Sequence, residues 1–307
     1  MIARIFDNSK PINFIIAFSI VLMAFFFEQF KLFKGEFRLE YVLIQIANFA
    51  LCLVTMALFN FIVNKNNLTQ KNSYKILLFS LFFAMIPFTM NNSSILISNL
   101  FVLMAVRRII SLKSLLKVKK KLFDASVLIA IASLFHFWSI LFILLVFASL
   151  MFYSENKLKN WIIPLVGLAA VTLIFVAYHI VRFNTYGDPM TYIDGVDFNY
   201  ENYNSLKMII SITLLLSFGI WALLFYIQSL NKKLKTFRPS TIIIMIMAII
   251  SVFVAIITPR KDGSEIIFLF APLAIIITNY IEIIEEKWFK EVLIAILILT
   301  PVSFQFF

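Results

Sequence analysis

Residues 122–153 read LFDASVLIAIASLFHFWSILFILLVFASLMFY, an apolar run carrying a single charge, Asp124. One helix needs about 20 residues to cross about 30 Å of hydrocarbon, so two straight crossings need about 40 residues and a turn. The run lies between these lengths. Its flanks decide how it is used. Arg107, Arg108, Lys113, Lys117, Lys119, Lys120 and Lys121 precede it, and Lys157 and Lys159 follow. Loops rich in Lys and Arg stay on the cytoplasmic side, which places both ends of the run inside. A single helix cannot start and finish on one side. The run therefore predicts a hairpin of two short or tilted helices, or a re-entrant element, turning near Ser133-Leu134-Phe135-His136. The alternative is one long tilted helix with the second half of the chain inverted. That would place Lys232, Lys233, Lys235 and Arg238 outside, against the charge rule.

The same pattern extends along all 307 residues, of which 62% are apolar and 14% charged. Soluble domains are about half apolar and about a quarter charged. So few charges cannot cover an aqueous surface, and lipid must cover most of this one. The expected spans are Ile12–Phe30, Tyr41–Val63, Lys75–Met90, Ile95–Ile110, Leu122–Tyr153, Trp161–Arg182, Lys207–Leu230, Thr241–Thr258, Glu265–Ile281 and Trp288–Phe306. These predict an all-α polytopic transmembrane bundle of about 10–11 segments, forming a single integral membrane domain over residues 1–307. The first run is too long for the core of a cleaved signal peptide and is read as a retained helix.

Net charge is +11. The basic residues sit in short loops, where they orient the chain, so no nucleic-acid partner is expected. Alternating the spans places the N-terminus in the cytoplasm and the C-terminus in the periplasm of a bacterial inner membrane. Residues 31–40, 91–94 and 183–206 then face outward. The inner loops come out strongly positive and the outer loops slightly negative. The single cysteine, Cys52, excludes an internal disulfide. No His or Cys cluster has metal-ligand spacing. No cofactor is expected, and nothing indicates a divalent cation. No phosphate-binding glycine loop or channel-filter signature occurs.

Charged and polar groups inside lipid are the natural functional candidates. His136 lies at the expected turn. It either satisfies backbone groups freed by the break or contacts a substrate. His179 and Arg182 share one helical face near the outer end of their span. Arg182 either snorkels to the interface or holds a phosphate. Thr258-Pro-Arg260-Lys261-Asp-Gly-Ser-Glu265 opens the ninth segment on the outer side, with Ser264 as the expected cap. A helix N-terminus beside Arg260 and Lys261 favours an anion. Glu265 is grouped with these two as a substrate contact. Glu36 and Glu40, in the first outer loop, are candidate general bases; they alternate with Lys34 and Arg38, which equally suits exposed ion pairs. Gln45, Asn48, Cys52 and Thr55 form a polar stripe of the kind that joins helices.

Two stretches resemble known families. Ala132-Ser-Leu-Phe-His136-Phe-Trp-Ser resembles an element of EpsG-like exopolysaccharide membrane proteins. Pro259-Arg260 through Phe268-Leu-Phe-Ala-Pro272 resembles a late helix of GT-C-type glycosyltransferases. The chain as a whole looks like uncharacterised multi-pass inner-membrane proteins of Bacteroidota. The GT-C resemblance implies an outward cavity for a polyprenyl-phosphate-linked glycan, with a catalytic acid in the first outer loop, here Glu36 or Glu40. The sequence lacks a clear acidic pair there and has no large outer domain. Three classes therefore stay open: a membrane glycosyltransferase or glycan polymerase, a non-catalytic subunit of a secretion, motility or envelope-biogenesis complex with protein partners, and a transporter.

Overall fold

The computed structural model describes residues 2–32, 39–153, 158–184, 195–259 and 261–304. The protein is an all-α polytopic helical bundle. Among the described residues, seven helices are long and apolar enough to cross a membrane: Pro11–Lys31, Leu39–Asn66, Ser93–Ser114, Lys159–Phe183, Leu206–Ser229, Arg238–Ile257 and Ser264–Ile283. Tyr74–Met85 and Phe137–Tyr153 are shorter apolar helices. The chain divides into two compact units, each assembled from separate stretches of sequence.

The first unit comprises Met1–Leu96, Tyr200–Lys233 and Lys261–Phe307. It contains α1 (Ile2–Phe6), α2 (Pro11–Leu32), α3 (Leu39–Asn66), α4 (Tyr74–Met85), and the start of α5 (Ser93–Ile110). It also holds α10 (Leu206–Ser229), α12 (Ile267–Ile283) and α13 (Lys287–Ser303). Every residue of α12 from Ile267 to Ile281 is buried. A helix that is apolar all round belongs in the centre of a bundle rather than against lipid or water. α4 and α10 pack on α12, and α2 and α13 pack on α4. Phe59 stacks on Phe79 at 4.6 Å, and Phe79, Phe82 and Phe83 surround Phe270 at 5.5–6.2 Å between ring centres. Edge-to-face rings at these distances contribute beyond simple burial.

The third expected span, Lys75–Met90, is shortened. Its helix stops at Met85, and Pro87–Met90 forms a separate 3₁₀ turn. Pro87 pushes the residue before it out of the helical region, and Ile86 has φ −128° and ψ 74°.

The second unit comprises Ile97–Asn199 and Leu234–Arg260. It contains most of α5, then α6 (Val118–Phe135), α7 (Ile143–Tyr153), α8 (Leu158–Trp161), α9 (Ile163–Phe183) and α11 (Arg238–Ile257). The long apolar run breaks at His136, whose backbone is extended at φ −145° and ψ 106°. A 3₁₀ turn, Phe137–Phe142, follows, and α7 packs back against α6. The chain therefore reverses where the charges require it. Ser98 braces the break: its Oγ donates to Ala132 O at 3.0 Å, a carbonyl that also accepts from His136 N at 3.0 Å, and lies 2.6 Å from Ser139 Oγ. α9 approaches α6 closely at Gly167, where a Cβ would sit 2.7 Å from Ser126 Cβ. Small residues permit such backbone approach in a bundle.

Candidate functional site

The first unit contains a cavity of about 580 Å³, within the about 300–1,000 Å³ usual for ligand pockets. One wall is a single face of α2: Ile16, Ile20, Met23, Phe27, Glu28 and Lys31. Apart from the adjacent Phe27 and Glu28, they recur every three or four residues, the helical repeat. At 1.5 Å per residue, the stretch from Ile16 to Lys31 is roughly 22 Å long. The opposite wall comes from Leu77, Leu81 and Met85 of α4, Met208 of α10, and Ile298 and Pro301 of α13. The groove is apolar along its length and charged at one end.

That end carries Glu28, Lys31 and Lys207. Glu28 is buried, with 6% of its surface exposed, and accepts from Asn91 Nδ2 at 3.3 Å. Lys207, half-buried in the first turn of α10, donates to Phe304 O at 2.7 Å. Its ammonium interacts with both Lys31 and Glu28. Two cations beside one carboxylate leave a net positive charge where the apolar groove ends.

The polar stripe on α3 supports this end. Gln29 Nε2 donates to Gln45 Oε1 at 3.1 Å and to Asn91 Oδ1 at 3.0 Å. Tyr41 donates to Gln29 Oε1 at 2.9 Å, and Ser93 to Asn48 Oδ1 at 2.6 Å. Asn48, Cys52 and Thr55 are all buried. The stripe joins α3 to α2 and to the start of α5, the helix-gluing role expected of it.

A second polar group lies where α12 begins. Glu265 is fully buried, and its Oε1 accepts from the Tyr203 hydroxyl. Glu265 Oε2 has no hydrogen-bond partner. Burial, together with the hydrogen bond to Glu265, pushes the Tyr203 phenol far above its ordinary range, so it remains a donor. Lys261 is 1% exposed, with Nζ 4.5 Å from the Tyr200 ring centre, a cation–π distance. Ser264 does not cap the helix as expected. Asp262 Oδ1 takes the Ser264 N–H at 2.9 Å and also its hydroxyl. An anionic carboxylate is the stronger acceptor for both donors. Gly263 makes the turn possible, with φ +91° and Met208 Cε lying where a Cβ would be. Met208 also lines the groove.

The structure thus brings Lys261 and Glu265 into one cluster of the first unit. Glu40 is exposed in the first turn of α3. Glu36 and Arg260 lie outside the described residues. His136 belongs to the second unit, where its Nε2 lies 3.3 Å from Thr258 Oγ1. The Thr258 hydroxyl also lies 2.6 Å from Val254 O, to which it donates. His179 stacks against Phe175 at 4.5 Å and Phe183 at 5.3 Å on α9, and Arg182 is exposed nearby. Among the described residues, no His, Cys, Asp or Glu group of three or more could hold a metal ion. Sequence reasoning missed Glu28, Lys207 and Tyr203. Glu28 carried the one available signal, an acid within an apolar helix three residues before a lysine.

No curated protein and no solved structure matches the chain. The chain belongs to the family of unknown function DUF6427, which matches it over residues 1–307.

Proposed function

We propose that this is a bacterial inner-membrane protein that binds a polyprenyl phosphate, or a glycan carried on one, in an outward-facing cavity. The observation that carries the reading is the α2 groove: a long apolar channel ending at Lys31, Lys207 and Glu28. An isoprenoid chain suits the apolar length. A phosphate suits two converging ammonium groups, which bind it as charge-assisted donors. With the N-terminus cytoplasmic and the C-terminus periplasmic, the charged end of the groove faces outward. The GT-C-like reading adds catalysis to this binding, with Glu40 or Glu36 as the base and Lys261 and Arg260 on the glycan-phosphate side.

The test is equilibrium binding in lipid nanodiscs, comparing a polyprenyl monophosphate with the uncharged polyprenol. The phosphate binds more tightly. Lys31→Ala and Lys207→Ala each weaken it by roughly tenfold to a hundredfold, the equivalent of one charged hydrogen bond. Equal affinity for the polyprenol, or no effect of either substitution, removes the proposal. Glycan transfer lost in Glu36→Gln and Glu40→Gln, with lipid binding kept, supports an enzyme. Binding without transfer supports a non-catalytic subunit or a transporter.

A further inference from the structure

We infer that Glu265 is a proton-binding site, open to the outer aqueous face through Asp262. The inference goes beyond lipid binding, since neither residue lines the groove. Glu265 is fully buried, whereas Asp262, on the same turn, is exposed. The two carboxyl groups interact. A buried ionised carboxylate needs donors on both oxygens. Glu265 has the Tyr203 hydroxyl on Oε1 and no hydrogen-bond partner on Oε2. The neutral acid fits these surroundings better. Tyr203 still donates to Oε1, and a proton on Oε2 removes the charge from a dry site. Asp262, as the neighbouring like charge, favours the same outcome.

Among the described residues, three turns bring the groups that face this site. The Glu201–Tyr203 turn brings Tyr203, with Tyr200 beside it, the rings 6.1 Å apart. The carboxyl's own turn brings Lys261 and Asp262. The Pro87–Met90 turn packed against it carries no titratable side chain. A metal cation is the poorer occupant, because Lys261 brings a buried positive charge to the cluster and no third acidic ligand converges among the described residues. The transfer is simple: Asp262 takes a proton from external water and passes it to Glu265 Oε2. Asp262 is left ionised to accept the next, and Tyr203 keeps its own proton throughout.

Infrared spectroscopy of the full-length protein in nanodiscs reads the site directly. At neutral pH the wild type shows a protonated-carboxyl stretch that disappears in Glu265→Gln. In Tyr203→Phe the band moves, because its carbonyl has lost a donor. In Asp262→Asn the band exchanges its proton for deuterium more slowly than in the wild type. A band that survives in Glu265→Gln, or no such band from about pH 5 to about pH 8, overturns the inference. If Glu265→Gln does not fold, Tyr203→Phe decides: a shifted band supports the site and an unmoved band refutes it.

Discussion

Gly263→Ala tests how tightly the start of α12 is tied to the lipid groove. The glycine has φ +91°, and an added Cβ would lie 1.9 Å from Met208 Cε, 3.5 Å from its Sδ and 3.7 Å from Ile86 Cγ2. Two effects follow. Holding an L-residue in the left-handed region costs about 1–2 kcal/mol. The clash adds less than its distance suggests, because the obstructing atom is the end of a flexible side chain beside a cavity. Moving Met208 off its rotamer costs about 0.5–1.5 kcal/mol. The expected loss is therefore about 1.5–3.5 kcal/mol, and the displaced Met208 must enter the groove and weaken lipid binding. The assay is reversible unfolding in mixed micelles on a double-mutant cycle. Met208→Ala removes the obstruction, so Gly263→Ala in that background loses only the backbone cost. The coupling between the two sites should be about 1 kcal/mol. A Gly263→Ala protein as stable as the wild type, or additive effects of the two substitutions, would refute this reasoning.

Other perturbations probe separate parts of the structure. Ser98→Ala removes one buried hydrogen bond to Ala132 O, which keeps that from His136 N, and the contact with Ser139 Oγ; it should lower stability by about 0.5–1.5 kcal/mol in unfolding titrations, and Ser98→Thr should restore most of it. At the other end of α12, Glu282 Oε1 accepts from Gln70 N at 2.8 Å and lies beside Lys233. Burial lowers the Lys233 pKa and Glu282 raises it in part. The unfolded chain thus binds the lysine proton more tightly, and stability rises as pH climbs from the folded value toward the ordinary 10.5. Glu282→Gln should lower the folded value further and start that rise at lower pH. An unchanged stability profile above neutrality would contradict this.

The fold was largely legible because membrane helices are written in length, hydropathy and loop charge. The reversal at His136 followed from Lys119–Lys121 on one flank and Lys157 and Lys159 on the other, and the break lies where that argument placed it. The end of α4 was missed, because hydropathy carries the span on to Met90 past Pro87, a strong local stop. The site was not legible in the same way. Glu28 and Lys31 share α2, but Lys207 comes from α10, far away in sequence, and only packing brings it to them. Tyr203 reaches Glu265 across the length of α10, with nothing local to announce the pair. Lys261 and Glu265 were found because both belong to one short polar turn. The expectation for Ser264 failed because an aspartate two residues earlier is the stronger acceptor.

The most direct test of the central claim is native mass spectrometry of the protein released from its own membranes, comparing the wild type with the Lys31→Ala/Lys207→Ala double variant. The account predicts a wild type that carries an anionic prenyl-type lipid at one-to-one stoichiometry, and a folded double variant that has lost it. A wild type without bound anionic lipid, or a double variant that retains it, would contradict the assignment of the α2 groove.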